Sequence, residues 1–516
     1  MVATILAGAH ADTYHRLRAQ IRKAEPRNKL RDNLFAAKER LREVGFSVPE
    51  SMMDFAAAIG WPEKAVTAAT RRVRPGRIVI PRDSGLEEDV NAVFTAPTGR
   101  MAERMAIDSS GRHGCAFVFV LMTEDGPQLT ARSAREASAL VDRRTLEVEA
   151  ALECIDAKTD LLYLHGMVLR IERGSDLKVT EVVPTPTGMV ACVPYVWGQS
   201  LDRLFGRSRI TRPIMDLSGM AVRTMLRAEV TAEHFSSPQR ALLGARKSAF
   251  TDKEGRVRSG LEVTTGSVWG IPDFFDEETG EWRRAQLQQL SASSQQPHLE
   301  HMRMIASQMS AESSIPINQL GIIQDNPPSA EAIRILESDL VGLVHGELGS
   351  YGSARMRTAR IVAHMLGDPW MQMSAADLDD LFRGAHAAFL NPGTVTPAAA
   401  SDMAQKFIAA YPDLATEDTV MELWGFDESQ LQRLQEAIRR RKGANELAGI
   451  LAGTAAPSQP TGQGVVDSPA DLRSKADALG LLRRAGVKAD VAARTVGLDG
   501  LEFIPGESIT IRTEDR

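Results

Sequence analysis

Apolar residues recur at helical spacing in the segment that follows residue 326. They occur every three or four positions, with charged residues between them, at Ala330, Ile333, Leu336, Leu340 and Leu343. Asn326 suits a helix N-cap, and Pro327 and Pro328 suit the first turn, where a missing N–H group has no intrahelical partner to lose. The pattern therefore predicts a long helix that begins after an exposed loop.

Two further helical patterns enclose a segment with strand-like pieces. Helical spacing begins at Ile214 and ends at Pro238, and it returns from His298 to Ser310. Between 239 and 292 lie the β-type pieces ALLGA, VWGIPD and AQLQQL, separated by the turn sequences DKEGR and DEETGE. A connection of about 50 residues is too long to lack structure of its own. We therefore predict two helices that carry a compact insertion.

The N-terminal part of the chain mixes helical and strand patterns. A basic helical stretch from 12 to 45 is led by Arg16, Arg18, Arg22, Lys23, Arg27, Lys29 and Arg31. β-Branched and aromatic residues predict a buried strand from 113 to 123, and a short strand is expected from 77 to 81. The charged run 133–150 is helix-like, whereas LLYLHGMVLRIER and ACVPYVW are strand candidates. This mixture predicts an α+β fold that is rich in helix.

Glycines recur within the predicted long helix, at Gly342, Gly346, Gly349 and Gly352. Each costs about 1 kcal/mol relative to alanine in a helix interior, so we expect a packing or conformational reason for them. Two or three helices are predicted between 397 and 443, most clearly at 418–424 and 428–440. The segment 453–464, GTAAPSQPTGQG, has the composition of a linker. A small helical appendage is predicted at 471–503.

Composition and charge narrow the classes of protein that fit. The chain has 516 residues, of which 43% are hydrophobic and 25% charged, so it is typical of a globular protein with about three domains. A formal charge of -6 argues against a protein whose main task is to grip phosphates. The three cysteines, Cys115, Cys154 and Cys192, are far apart and indicate small buried side chains in a reduced setting. The longest apolar run, CAFVFVLM, is too short for a membrane helix, and MVATILAG lacks the basic lead of a signal peptide.

Motifs that carry enzyme chemistry are missing from the sequence. There is no GxxxxGK[ST] phosphate loop and no GxSxG elbow. His298, Glu300 and His301 form the only arrangement that invites a metal, but the histidines are three positions apart rather than four. A helical metal-dependent enzyme that uses this cluster is the alternative interpretation. A third is a nucleic-acid-binding module led by residues 16 to 31, although a solvated helical face explains those charges more simply.

Four stretches agree, in order and spacing, with one known family. They are IPINQLGIIQDNPPSAEAIR from Ile315, PYVWGQSLDRLFGRSRITRPIMDLSGMAVRTMLRAEVTAEHFSSPQR (194–240), SSQQPHLEHMRMIASQMSAESSIP (293–316) and LNPGTVTPAAASDMAQKF (390–407). Weaker agreement comes from AKERLREVGFSVPES and GWPEKAV near the N-terminus. Together they resemble the portal protein of tailed double-stranded DNA bacteriophages, specifically the type found in long-tailed phages of actinobacteria. No single stretch is an enzymatic signature, and the specificity lies in their joint order.

The resemblance implies a helix-rich α+β fold with the wing, stem, clip and crown of a portal subunit. The chain would divide into 1–209 as the first part of the wing, 210–240 as a stem helix, 241–292 as the clip, 293–315 as the second stem helix, 316–396 as the second part of the wing with a loop and the long helix, 397–452 as the crown helices, 453–470 as a linker and 471–516 as a C-terminal appendage.

The resemblance also implies a structural virion protein rather than an enzyme, with no cofactor. Twelve copies would form a ring at one capsid vertex, the conduit through which double-stranded DNA is packaged and ejected. Its partners would be the terminase, the major capsid and scaffolding proteins and a head–tail adaptor, with assembly in the host cytoplasm and no membrane. A mildly acidic chain suits sliding of DNA, because every phosphate contact with Lys or Arg releases counterions and holds the polyanion.

Two sets of residues are the candidate sites of such a portal. The channel loop would comprise Gly321, Ile322, Ile323, Gln324, Asp325 and Asn326. In it Asp325 would repel phosphate, while Ile322 and Ile323 would face either the channel or the core of the wing. The docking surface of the clip would be anchored by Trp269, Phe274, Phe275 and Trp282, since aromatic residues dominate interface hot spots. Trp269 fits the small core of the clip equally well.

Overall fold

A computed structural model describes the structure of residues 4–38, 58–235, 240–244, 256, 273–284, 286–289, 294–322, 330–367, 370, 373–393, 397–412, 420 and a few positions between 430 and 440. The chain divides into two compact units, Met1–Gly425 and Phe426–Arg516. In the second unit the described positions, which lie between Gln430 and Arg440, are helical. All elements below belong to the first unit, and none of its described helices is long and apolar enough to cross a membrane.

The α-helices of the described residues are α1 (Gly8–Phe35), α2 (Trp61–Thr70), α3 (Ser84–Thr95), α4 (Pro97–His113), α5 (Arg212–Phe235), α6 (Gln296–Ser313), α7 (Ala330–Met365), α8 (Ala375–Leu381) and α9 (Pro397–Ala410). The strands are β1 (Thr4–Ile5), β2 (Pro75–Val79), β3 (Cys115–Thr123), β4 (Gly126–Ser133), β5 (Ala137–Val141), β6 (Val148–Cys154), β7 (Thr159–Leu164), β8 (Met167–Arg173), β9 (Leu177–Pro184), β10 (Cys192–Val196), β11 (Arg240–Leu243), β12 (Phe274–Asp276), β13 (Glu281–Arg283), β14 (Gln286–Gln289) and β15 (His386–Phe389).

The largest sheet has six antiparallel strands in the order β1-β9-β8-β7-β6-β5. One face is covered by α1, where Leu17 and Ile21 pack against Leu152, Leu162 and Ile171 in one apolar cluster. The other face joins the main core of the unit, which also contains β3, β10, α3, α4 and α7. The sheet therefore lies between one long surface helix and the body of the unit.

The predicted buried strand near residues 113–123 is confirmed as β3, the centre of a second sheet with the order β10-β3-β4. Its first six residues are buried without alternation, because both faces of this sheet are covered. Both strand candidates, LLYLHGMVLRIER and ACVPYVW, are also strands, and the first forms the β7–β8 hairpin. The short strand expected near 77–81 is β2, which pairs with β15.

The prediction of a helix in the charged run 133–150 is wrong. That run forms β5, a turn and the start of β6. Ala137 to Leu140 are buried on both faces of the strand, and the charges are concentrated in the turn, where the Asp142 carboxylate accepts the Arg144 N–H at 2.8 Å. The charged residues thus belong to a connection between strands rather than to the exposed face of a helix.

Buried carboxylates connect the layers of the fold. Each accepts a hydrogen bond from a tyrosine hydroxyl and forms an ion pair with an arginine that belongs to a different helix or strand. The three sets are Tyr14, Asp160 and Arg173; Tyr163, Glu153 and Arg132; and Tyr195, Glu103 and Arg355. Each set fixes the relative position of two or more elements, because a buried charge is tolerated only where its partners are in place.

The cysteines behave as small buried side chains, as predicted. Cys115 and Cys192 are buried and Cys154 is half-buried, and all three are free thiols. Burial raises the pKa of Cys115 and of Cys154 to about 12, so both remain protonated at neutral pH. A protonated thiol is a poor nucleophile.

Candidate functional site

The helix pair α5 and α6 is antiparallel, and the described strands β11 to β14 come between the two helices in the chain. Both helices lie where the sequence predicts them. The pair continues into β11 and β14, which are antiparallel with Arg240 opposite Gln289. The end near α5's first residue, called the base below, is packed on α2, and the opposite end is the tip.

The base of the helix pair is held by Arg209, which precedes α5 and is buried. Its guanidinium donates from Nε to the Ala65 carbonyl at 3.1 Å and from Nη2 to the Ser313 carbonyl at 2.5 Å. Ser313 is the last residue of α6, whose final carbonyl oxygens have no partner within the helix. One cation thus joins α2 to the end of α6, where the helix dipole favours positive charge.

Burial lowers the pKa of Arg209 to about 10, so the side chain is still charged at neutral pH. Glu347 on α7 compensates part of that burial. Its Oε2 accepts the Gly198 N–H at 2.8 Å. Burial raises the pKa of Glu347, and the bond from Gly198 and the charge of Arg209 offset only part of that rise. The base therefore contains a network that links four segments of the chain.

An apolar cluster completes the base. Trp61 and Ala65 of α2 pack with Ile214 of α5 and with Ile305 and Met309 of α6. The indole N–H of Trp61 donates to the Leu320 carbonyl at 3.4 Å. These contacts pack the base of the helix pair against α2 and the segment that follows α6.

The histidines of the candidate metal cluster are used to join the two helices. The Thr224 hydroxyl lies 3.2 Å from Nδ1 of His301, and the Thr231 hydroxyl lies 3.2 Å from Nε2 of His298. Both hydroxyls donate to carbonyl groups of their own helix, so the histidine nitrogens must be the donors. In this arrangement a metal ion would have to bind the other nitrogen of each ring.

Glu300 points elsewhere and accepts the Gln296 amide at 3.0 Å. Within the part of the chain that the structure describes, no group of three or more His, Cys, Asp or Glu side chains could hold a metal ion. The interpretation of this cluster as a metal site is therefore not supported by the geometry.

At the tip, a hairpin carries three of the four predicted docking residues. Phe275 lies opposite Trp282 across the β12–β13 pair, and their rings meet edge to face with centroids 5.6 Å apart. Phe275 is 43% exposed and Trp282 is 71% exposed, while Phe274 is half-buried. Trp269 lies outside the described residues. The hairpin thus presents an aromatic pair to solvent.

Ion pairs stiffen this hairpin. Arg283 lies 2.8 Å from Asp276, and Arg284 lies 3.0 Å from Asp273. The turn between the strands has Gly280 with φ +70°, a conformation that glycine adopts without strain. Exposed ion pairs of this kind add little stability, but they keep the aromatic pair on a defined scaffold.

The predicted channel loop is described only at its beginning. Gly321 has φ +90° and closes the 3-10 turn Ile317–Leu320, and Ile322 packs partly against the apolar cluster at the base. Ile323, Gln324, Asp325 and Asn326 lie outside the described residues. For Ile322 the contacts are with the fold's own core.

The flanks of this loop are fastened to one another. The Gln319 amide donates to Glu337 of α7 at 2.9 Å, and the same carboxylate forms an ion pair with Arg72 at 3.0 Å. Glu337 thus joins the segment before the loop, the first turns of α7 and the end of α2.

The glycines of α7 have no steric reason within the described part of the chain. A Cβ atom built at Gly342, Gly346 or Gly349 would have nothing within 4 Å, and one at Gly352 would make ordinary contact with Phe389. Nearby, Ile333, Ile335 and Leu336 are exposed on the first turns of the same helix. This part of α7 is therefore open to contact from outside the chain.

Sequence reasoning missed Arg209, Glu337 and Glu347. Their partners are backbone groups or side chains from distant segments, and no local motif in the sequence indicates these contacts. Helical spacing from Ile214 predicted α5, but not the cation at Arg209 that fastens it.

No protein-family model matches the chain. It is similar to the portal protein of Mycobacterium phage L5, with 23% identity over 446 residues, which are 83% of this chain and 87% of the relative. It is also similar to the portal protein of Mycobacterium phage D29, with 26% identity over 54% of this chain and 53% of the relative. The resemblance predicted from the sequence motifs is confirmed by these relatives.

Among solved structures, similar chains come from gene transfer agent particles. One is from the virion of a native particle, with 15% identity, coverage of 63% of this chain and 84% of the other, and a TM-score of 0.33. Another is from the neck of a native particle computed with C12 symmetry, with 14% identity, coverage of 69% and 93%, and a TM-score of 0.34. The overlap at these scores is partial.

Proposed function

We propose that this chain, a homologue of phage portal proteins, forms the ring-shaped portal at one vertex of a tailed-phage capsid and is a structural component of the virion rather than an enzyme. The observation that carries this proposal is the similarity to the portal protein of Mycobacterium phage L5 across 83% of the chain. The helix pair supports it, because the described strands β11 to β14 lie between its two helices in the chain, the order that the motifs imply for a stem and a clip.

In this proposal each part of the chain has a mechanical role. Residues 210–240 and 293–315 are the stem, 241–292 the clip, 1–209 and 316–396 the wing and 397–452 the crown. DNA passes through the ring during packaging and ejection. The terminase and later the head–tail adaptor dock on the clip, and the major capsid and scaffolding proteins surround the wing during assembly in the host cytoplasm.

A neighbouring copy in the ring would cover apolar side chains that the single chain leaves exposed. The helix pair exposes Met225, Leu299 and Met304, and α7 exposes Ile335. Contacts between two different faces of adjacent copies, repeated around an axis, close a ring. Exposed apolar groups at these positions are explained if they lie at such contacts.

The proposal predicts a large closed ring in solution. Light scattering with size exclusion should report a mass many times that of the 56.2 kDa chain, and negative-stain images should show rings with a central hole. The reason is that burial of the exposed apolar groups favours association. A protein that stays monomeric at micromolar concentration in physiological salt would contradict the portal assignment.

A second prediction concerns the aromatic pair of the hairpin. The double substitution Phe275→Ser and Trp282→Ser should leave ring formation unchanged and weaken docking of the terminase or the adaptor. Loss of one hot spot of about 2 kcal/mol raises the dissociation constant roughly 30-fold. Binding of the purified partner to immobilised rings measures the effect.

The matched control for this prediction is the double substitution Met101→Ser and Met105→Ser, which removes two exposed apolar side chains from α4. Control rings should bind the partner as the unmodified rings do. If rings with the altered hairpin dock with unchanged affinity, the docking assignment of Phe275 and Trp282 is wrong.

A further inference from the structure

The exposed side of α1 carries an excess of positive charge. Five cations on it are exposed, and they are called the basic face of α1 below: Arg16, Arg22, Lys23, Arg27 and Lys29. Helical spacing arranges them in two rows, with Arg16, Lys23 and Arg27 in one and Arg22 and Lys29 in the other. The rows lie on either side of Ala19, whose small side chain leaves space between them.

These charges are not neutralised within the described part of the chain. None of its ion pairs involves the basic face, whereas many arginines elsewhere are paired, such as Arg104 with Asp108. Lys23 and Arg27 are four residues apart on the helix, where like charges destabilise it by about 0.2–0.5 kcal/mol. The exposed acids of α1, Asp12 and Glu25, stand four residues before Arg16 and Lys29, so these seven exposed side chains keep an excess of three positive charges.

The basic face is held on a rigid support. Leu17 and Ile21 on the opposite side of α1 are buried against the six-stranded sheet. The Tyr14 hydroxyl donates to buried Asp160 at 2.7 Å, and the Ser138 hydroxyl donates to the Leu17 carbonyl at 2.9 Å. The backbone positions of the cations are therefore fixed relative to one another, and removal of their side chains leaves the contacts that hold the helix intact.

The chemistry of the face favours phosphate over protein as a partner. Protein interfaces are organised around apolar or aromatic anchors. On α1 the one large aliphatic side chain that is exposed is Leu30, at 36%. Rows of Arg and Lys on a helix without such anchors suit a regular polyanion, in which every phosphate offers the same contact.

We infer that the basic face of α1, in the wing of the proposed portal, is a non-specific binding site for the phosphate backbone of double-stranded DNA. From Arg16 to Lys29 the helix rises about 20 Å, the length of roughly six base pairs. One copy of α1 therefore reaches up to five phosphates. The rest of the chain is mildly acidic, so it suits the passage of DNA rather than its retention.

The inference is tested by fluorescence anisotropy with a labelled DNA duplex of about 12 base pairs, short enough to meet one or two copies of α1. Purified full-length protein is titrated at salt concentrations from about 50 to about 200 mM. Five phosphate contacts predict a slope of about −4.5 for the logarithm of affinity against the logarithm of salt concentration, or a loss of about 500-fold in affinity over this range.

The test variant replaces Arg16, Lys23 and Arg27 with glutamine. Two remaining contacts should reduce the slope to about −2 and the loss over the same range to about 12-fold. The control variant replaces Arg143, Arg144 and Lys178, three exposed cations away from α1, with glutamine. It removes the same net charge and should keep the steep slope, and circular dichroism checks that both variants are folded.

Three results would overturn the inference. They are no binding of the duplex by the unmodified protein at low salt, equal slopes for the test and control variants, or binding of poly-glutamate but not DNA that depends on the same three residues. The last would assign the face to an acidic protein. None of these results bears on ring formation, so the portal proposal is judged separately by the size and shape of the particles.

Discussion

Replacement of Arg355 by methionine should lower the free energy of unfolding by about 3–5 kcal/mol, because it leaves the Glu103 carboxylate buried without its cation. Arg355 Nε lies 2.6 Å from Glu103 Oε1, and both side chains are almost completely buried. A typical domain is stable by about 5–15 kcal/mol, so this loss is a large part of the total. Chemical denaturation at fixed protein concentration measures it.

The control for this prediction lies on the same helix. Arg360 is 3.7 Å from Asp379 in a pair whose side chains are 45% and 51% exposed, and Arg360→Met should cost less than about 1 kcal/mol. A double variant with Arg355→Met and Glu103→Met should recover most of the lost stability, because it removes the unpaired charge. Equal losses for Arg355→Met and Arg360→Met would contradict the buried pair.

The stability of the Arg355→Met variant should depend on pH in a defined direction. Burial raises the pKa of Glu103, and Arg355 is the main influence that opposes the rise. Without Arg355 the pKa of Glu103 rises further. An acid whose pKa is higher in the folded state than in the unfolded state stabilises the fold at low pH, and this stabilisation is lost as pH rises through the folded-state pKa. The instability of Arg355→Met should thus be smaller at about pH 5 than at about pH 8, relative to the unmodified protein.

Local patterns in the sequence were sufficient to predict elements whose buried faces stay the same along their whole length. The run of apolar residues from Cys115 predicted β3, since a strand covered on both faces needs no alternation. Helical spacing predicted α5 and α6, because each buries one stripe of side chains. Family motifs then supplied the order of the parts, which no single pattern contains.

Interactions between distant segments could not be predicted in this way. The turn at Asp142 looked helical because its charges were assigned to a helix face, and only the pairing of β5 with β6 decides otherwise. The spacing of His298 and His301 suggested a metal site. Their actual partners are two threonines on the other helix of the pair, which the local sequence does not reveal. Neither spacing nor composition records which segment a side chain will meet.

The base of the helix pair shows this limit most clearly, since Arg209 binds two backbone carbonyls that leave no trace in the residue types around it. The Ala65 carbonyl belongs to α2 and the Ser313 carbonyl to the end of α6, so the guanidinium adds a polar link to the apolar contacts between these two helices.

Substitution Arg209→Met should therefore detach the base of the helix pair while the six-stranded sheet stays folded. Each carbonyl loses a hydrogen bond from a charged donor, worth about 1.5–3 kcal/mol, so the expected loss is about 3 kcal/mol or more. Hydrogen exchange should accelerate in α5 and α6 and remain slow in β6, β7 and β8.

Arg209→Lys should be intermediate, because an ammonium group carries the charge but lacks the planar fork that reaches both carbonyls. The control is Arg212→Gln, three residues away, where the side chain is 91% exposed and its pair with Asp216 at 3.8 Å is weak. Exchange that rises equally throughout the sheet and the helix pair would show that Arg209 supports the whole unit and is not the fastening of this pair.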